Sequence, residues 1–183
     1  MNNFKWFKKK ISWNMKFFQG KWDFIEKEEI RYKNIYTLIN ESNSRPNLLD
    51  LGCAFGTLIN YFKEEEYSSY VGVDISSNVI SKAKKRNYPN SEFLSCNIQK
   101  FVPKNKFDVI IFNEVIYYLD DPLKELERYS EFLTKNGFFI ISIYGIREDL
   151  INLFEEKFKL ENQIIISDDK KLTWGINKFV RKN

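Results

Sequence analysis

Apolar residues along this 183-residue chain change period repeatedly, and the changes lay out its elements. Asn47-Leu48-Leu49-Asp50-Leu51 is a short apolar run carrying one acid. A loop with Gly52 and Gly56 follows, and then a predicted helix over 57–65. Ser69 to Ser76 is a second β-rich run, ending in Asp74 before a helix over 78–86. Ser91–Ser95 is a third strand. Lys106 to Phe112 is the fourth, with Val109 to Phe112 a continuous apolar run suited to burial on both faces. Asp121-Pro122 supplies an N-cap and a first-turn proline for a helix with Leu123, Leu126, Tyr129 and Leu133 on its core face, closed by Asn136-Gly137. Phe138–Tyr144 is a fifth strand, a helix spans 147–157, and 159–166 and 171–180 read as strands joined at Asp168-Asp169-Lys170. Strand-helix alternation of this kind predicts a doubly wound, mostly parallel α/β sheet of seven strands. Right-handed crossovers gather every strand-to-helix loop on one edge, where Asp50, Asp74, Asn97 and Asn113 converge.

Upstream, Phe4, Phe7, Ile11, Met15 and Phe18 recur at three- and four-residue steps between lysines, an amphipathic helix pattern. A second helix is predicted from Trp22 to Asn40, with Ile25, Ile30, Ile35 and Leu38 apolar. Charge separates the two regions. Residues 1–21 hold six lysines and no acid; since the chain carries +4 overall, residues 22–183 come out at −2. The division expected is a basic amphipathic arm (1–21) and one domain (22–183). The arm fits a contact with an anionic membrane surface, a partner, a nucleic acid, or its own domain. No apolar run reaches the roughly 20 residues that span a bilayer, and no signal-peptide pattern opens the chain, so a cytoplasmic location, peripheral to the inner membrane face if the arm binds there, is the expectation. Cys53 and Cys96, without any histidine, make neither an expected disulfide nor a metal site. The absence of histidine also removes the usual general base.

The loop Gly52-Cys53-Ala54-Phe55-Gly56 departs from G-x-G-x-x-G, and Asp50 would repel a pyrophosphate. An acid there suits a ligand with a cationic amino-acid end. Leu48 to Gly56 resembles motif I (D-x-G-x-G-x-G) of the class I S-adenosylmethionine-dependent methyltransferases, with Ala54 at the middle glycine's place. Asn113-Glu114-Val115-Ile116-Tyr117-Tyr118-Leu119 is similar to motif IV of the small-molecule, sugar-associated and nodulation-type members, and lacks the N/D-P-P-Y loop of nucleic-acid amino-methyltransferases. The resemblance covers residues 20–180. It implies a Rossmann-like sheet of order 3-2-1-4-5-7-6 with strand seven antiparallel, and S-adenosyl-L-methionine as cofactor, leaving S-adenosyl-L-homocysteine as product.

Cofactor-binding roles are expected for Arg31, which could pair with the cofactor carboxylate or simply face solvent, and for Asp50, Gly52, Cys53, Ala54, Phe55 and Gly56. Gly52 and Gly56 are expected to let backbone pass close beneath the ligand. Asp74, 18 residues beyond Gly56, is expected to accept ribose hydroxyls with Ile75 beside it; capping the next helix is the alternative, a role open to Ser76 or Ser77. Asn97, flanked by Cys96 and Ile98, stands where the family carries an acid facing the adenine amino group; its carbonyl can accept and its amide donate. Asn113 completes the set.

Methyl transfer from a sulfonium is an in-line displacement in which the protein mainly aligns the partners. A base is needed only for a poor nucleophile such as a sugar hydroxyl. Glu114 is the candidate base, with capping or a cofactor contact as its alternatives, while Tyr117 and Tyr118 shape the pocket. Short loops leave the acceptor groove open, which suits a large or polar acceptor such as a glycan, a nucleotide sugar or a lipid-linked saccharide; the expected reaction methylates a small-molecule or saccharide acceptor, at a hydroxyl first and an amine second. Two alternatives remain: an RNA or protein methyltransferase anchored by the arm, and a non-catalytic S-adenosylmethionine-binding protein.

Overall fold

The computed structural model describes residues 11–12, 15, 28–42, 44–167 and 173–182. Of the arm predicted as a helix over 4–18, Ile11, Ser12 and Met15 are helical and exposed. The rest of that arm, the Trp22–Ile25 start of the second helix and the Asp168-Asp169-Lys170 turn lie outside the described residues.

Helix α1 (Glu29–Ser42) precedes β1 (Asn47–Leu51), β2 (Ser69–Asp74), α2 (Ser77–Lys85), β3 (Ser91–Ser95), β4 (Phe107–Asn113), α3 (Pro122–Ser130), β5 (Leu133–Tyr144), α4 (Glu148–Glu155), β6 (Phe158–Ser167) and β7 (Thr173–Arg181). The strands form one seven-stranded sheet of order β3-β2-β1-β4-β5-β7-β6, the order expected from the sequence. Strands β1 to β5 are parallel neighbours, and β7 runs antiparallel between β5 and β6. Leu49, Leu51, Ile110 and Phe112 face a core closed by Leu126 and Tyr129 of α3 and Leu150 and Phe154 of α4. Leu48, Val109 and Ile111 face the other core, closed by Tyr32, Ile35, Leu38 and Ile39 of α1 and by Val79, Ile80 and Ala83 of α2. Burial on both faces is what an unbroken apolar strand requires. Among the described residues, no helix is long and apolar enough to cross a membrane.

Three local predictions are corrected. The segment predicted as a helix over 57–65 is two 3-10 turns, Thr57–Tyr61 and Glu64–Glu66. Tyr61 and Phe62 both turn towards α1, against Tyr32 and Tyr36. Gly56 enters the first turn in the left-handed region (φ 69°) and Phe62 leaves it in extended backbone (φ −100°, ψ 138°), so the α-helical path stops there. In α1 the buried stripe is Arg31, Tyr32, Ile35, Leu38 and Ile39, and Ile30 is exposed. Lastly, α3 stops at Ser130, so Leu133 and Asn136-Gly137 belong to β5. The β4–β5 register steps from Phe107↔Leu133 to Val109↔Phe138, a bulge in which an added Cβ on Gly137 would meet the Phe107 carbonyl at 3.0 Å.

Candidate active site

Register brings the predicted polar residues to one edge. Asp50 pairs with Gly72 on β2 and Ile111 on β4, so Asp74 and Asn113 end their strands two residues beyond it. Asp74 is level with Ser95, and Asn97 follows two residues later.

The loop after β1 is bonded inward. Gly52 and Cys53 donate their N–H groups to the Val73 carbonyl (2.7 and 3.2 Å), Gly56 donates to the Cys53 carbonyl (2.8 Å), and Ala54 donates to Asp74 Oδ2 (3.1 Å). Those N–H groups are spent within the fold, and one of them on a carboxylate. A phosphate-binding loop needs such donors free, so this loop is no phosphate cradle. The glycines also clear space within the protein itself. Both are left-handed (φ 81° and 69°), and an added Cβ would strike Val115 at 2.8 Å on Gly52 and the Phe93 ring at 2.7 Å on Gly56. The close approach they permit is to the protein's own side chains. Ala54 is left-handed too (φ 47°), which costs an alanine about 1 kcal/mol that a glycine avoids. Replacing the middle glycine is therefore a strain as well as a change of size.

Under the loop, Asp50 is 1% exposed. Its Oδ2 accepts the Tyr70 hydroxyl at 2.5 Å, while its Oδ1 has no partner among the described residues. Burial drives this carboxyl up to about 7; the Tyr70 hydroxyl opposes the shift, Asp74 adds to it, and Arg31 opposes it. Arg31, far from facing solvent, is 3% exposed, ion-paired to Glu28 (2.6 Å) and positioned over the rings of Tyr32 and Trp174. Burial alone would lower the guanidinium, but Tyr32, Glu114 and Glu28 outweigh it and hold the charge in place. Arg31 Nε is unpartnered among the described residues, as is Thr57 Oγ1 at the loop's end.

Asp74 is buried, and burial raises it to about 6 against the N–H groups of Ser76, Ala54 and Ile75. Its Oδ1 receives the Ser76 N–H (2.8 Å) and its Oδ2 the Ala54 N–H, so it caps the turn into α2 while tying that turn to the first loop. Ser76 is the N-cap residue by position. Asn97 divides its side chain: Oδ1 accepts the Gln99 N–H (3.0 Å), and Nδ2, buried, has no partner among the described residues. The free group at this tip is a donor, so of the two roles open to the amide it is donation that the turn leaves available. Cys53 and Phe55 are buried, and Cys96 and Ile75 are half-buried. Burial pushes the Cys53 thiol well up, so it stays a thiol. Ile98 points into the core under α3.

Glu114, just past β4, is a non-glycine residue with φ 57°, strain of the kind that gathers at functional sites. Its Oε2 accepts the Tyr117 hydroxyl (2.7 Å), and the single Ser142 proton is shared between Glu114 Oε1 and Asn113 Oδ1, both 2.8 Å away. Burial beside Glu114 raises the Tyr117 hydroxyl far above its ordinary range, so it donates and takes no proton. Tyr118 packs on Tyr117 (4.6 Å between ring centres) and is 42% exposed; Tyr144, 51% exposed, meets Trp174 edge-on across the same edge. Tyr70, Ser142, Thr57 and Trp174 were not foreseen. Ser142 alone carried a signal, a hydroxyl within a strand that is otherwise apolar.

The sequence pattern of the methyltransferase-domain family matches residues 42–179, about three-quarters of the chain. A malonyl-[acyl-carrier protein] O-methyltransferase of Halalkalibacterium halodurans is 30% identical over 132 residues, 68% of this chain and 48% of that protein. The human mitochondrial arginine-hydroxylase NDUFAF5 is 25% identical over 127 residues, 68% of this chain and 36% of that protein. The chain thus spans half or less of the length of these curated relatives. The N-methyltransferase NodS from Bradyrhizobium japonicum WM9, solved with S-adenosyl-L-homocysteine, superposes with a TM-score of 0.74 at 18% identity, covering 85% of this chain and 88% of that one. At that identity the likeness shows a shared fold.

Proposed function

Because the chain belongs to the methyltransferase-domain family, we propose that it transfers a methyl group from S-adenosyl-L-methionine to a polar small-molecule or saccharide acceptor, at a hydroxyl or an amine. The observation that carries this reading is the set of unpaired buried polar atoms at the carboxyl edge: Asp50 Oδ1, Arg31 Nε, Thr57 Oγ1 and Asn97 Nδ2. Buried polar atoms in native proteins are almost always satisfied, so a ligand carrying the complementary groups would gain hydrogen bonds here. The set is an acceptor and donors matching an amino acid's ammonium and carboxylate, with a further donor for a base. At the loop after β1 a phosphate would meet the Asp50 and Asp74 carboxylates and N–H groups already bonded within the fold.

Asp50 would hold the ammonium, Arg31 the carboxylate, Asp74 the ribose hydroxyls, and Asn97 a ring nitrogen of the adenine. Bound there, S-adenosylmethionine supplies a methyl on a sulfonium for in-line displacement. Glu114 takes the proton of an acceptor hydroxyl, and Tyr117 and Ser142 fix its carboxylate from both sides. Exposed Tyr118 and Tyr144 offer flat apolar faces on which a sugar ring can lie. Calorimetric titration with S-adenosylmethionine and S-adenosylhomocysteine tests the cofactor, and assay against sugars and amines tests the acceptor. We expect micromolar binding, weakened at least tenfold by Asp74→Asn; no heat at millimolar ligand would end this reading.

Six lysines in residues 1–21 favour a second reading, an RNA or protein acceptor held by the arm. It predicts salt-dependent polynucleotide binding that vanishes when residues 2–21 are removed. A third is binding without methylation; one relative is named for hydroxylation and not for methyl transfer. Cofactor binding with no methylated product from any acceptor would favour it.

A further inference from the structure

The turn that carries Asn97 does not hold itself in place. Its internal bonds are few: Lys100 and Phe101 N–H groups to the Asn97 carbonyl (2.8 and 2.9 Å), and Gln99 N–H to Asn97 Oδ1. Gln99 Nε2 reaches Asp120 Oδ2 at 3.4 Å, and the shorter ties to the fold come from α3, about 30 residues later in the chain. Arg128 donates from Nη2 to the Ile98 carbonyl (2.7 Å) and from Nη1 to the Phe101 carbonyl (2.8 Å). The Tyr129 hydroxyl donates to the same Ile98 carbonyl at 2.6 Å. Glu125, buried, receives Arg128 Nε and Nη2 (2.9 and 2.6 Å), and the guanidinium lies 4.1 Å from the centre of the Tyr129 ring. One planar fork thus serves two loop carbonyls and a carboxylate at once. A lysine ammonium, a point charge on a flexible stem, cannot occupy all three positions.

We propose that Arg128 is a positioning residue for base recognition: its guanidinium, braced by Glu125 and Tyr129, fixes the 97–101 turn so that the Asn97 amide meets the adenine of the nucleoside cofactor. The inference rests on the cofactor reading above. It adds that selectivity for the base is set by a helix lying on the far side of the turn. The geometry separates the two faces of the turn. Ile98 and the carbonyls of Ile98 and Phe101 are taken up under α3, and the buried Asn97 Nδ2 stays unpartnered among the described residues.

The full chain, Arg128→Lys, Asn97→Ala and the double variant are titrated with S-adenosylhomocysteine and with its inosine analogue, in which a ring-nitrogen acceptor has become an N–H donor. Arg128→Lys should weaken S-adenosylhomocysteine binding about fivefold and lower the preference over the inosine analogue towards that of Asn97→Ala, about the effect of one hydrogen bond. Because Arg128 acts through Asn97, the double variant should bind within about twofold of Asn97→Ala alone. Hydrogen exchange without ligand gives a second readout: the Gln99, Lys100 and Phe101 amides should exchange about tenfold faster in Arg128→Lys while those of β1 and β4 keep their protection. Effects of the two substitutions that simply add, or an unchanged base preference, overturn the proposal. So does unchanged exchange in the turn, whatever binds. If the parent chain takes up neither nucleoside, the cofactor reading fails first, and the exchange result still decides whether Arg128 holds the turn.

Discussion

Asp50 shows how a single residue links burial to pH. Its folded carboxyl rests near 7, against an ordinary 3.8. Between those values the folded chain keeps a proton that the unfolded chain releases. The stability this contributes to the ligand-free protein is complete below 3.8 and is lost as pH rises through 7; Asp74, raised to about 6, acts in the same direction over a narrower window. Denaturant melts of Asp50→Asn should therefore lose much of the parent's decline between pH 5 and pH 8. An ammonium placed against Oδ1 reverses the preference, so S-adenosylhomocysteine should bind more tightly at pH 8 than at pH 6, with proton release seen as buffer-dependent heat. Ala54, left-handed without being glycine, leads to a second expectation. Ala54→Gly should stabilise the protein by about 1 kcal/mol and raise Tm by about 2–4 °C in a scanning melt. For Glu114, assigned the proton of a hydroxyl acceptor, Glu114→Gln should lower kcat at least a hundredfold, while cofactor affinity stays within about threefold.

At the scale of elements, the strands obeyed their pattern more closely than the helices did. An apolar run flanked by polar residues becomes a central strand almost wherever it pairs, because both of its faces are buried. Helices depend on which neighbour they find. In α1 the residues that pack on the sheet include Arg31 and Tyr32, because a buried aromatic surface from Trp174 and a paired Glu28 receive the cation there. Ile30, one step aside, points outward at 42% exposure. Chemical denaturation should separate the two isoleucines: Ile35→Ala costs about 2–4 kcal/mol and Ile30→Ala less than about 0.5 kcal/mol. The 3-10 turns after Gly56 follow the same logic. Tyr61 stacks on Tyr32 and Phe62 meets Tyr36 edge-on, and the extended backbone at Phe62 ends the first turn there.

For the molecule as a whole, charge and fold are divided along the chain: six lysines lie in 1–21, and the sheet with its two cores is built from residues 28–182. If the arm is an accessory, removing residues 2–21 leaves S-adenosylhomocysteine affinity within about threefold in a titration while turning the net charge acidic; a larger loss makes the arm part of the site. The sequence by itself determined the strands, their doubly wound class, and the edge to which Asp50, Asp74, Asn97 and Asn113 are carried. Those follow from local apolar period and from the handedness of crossovers, which each segment encodes without reference to distant ones. Tertiary structure alone decided what those side chains became. The Asp50 proton depends on Tyr70 and on the exclusion of water, the Asn97 amide on a turn gripped by α3, and the inward-spent N–H groups of the first loop on the neighbouring β2 carbonyl. Each of these is a contact between residues 20 or more positions apart, and their free energies come from desolvation and hydrogen-bond geometry, quantities that exist only once the chain has closed on itself.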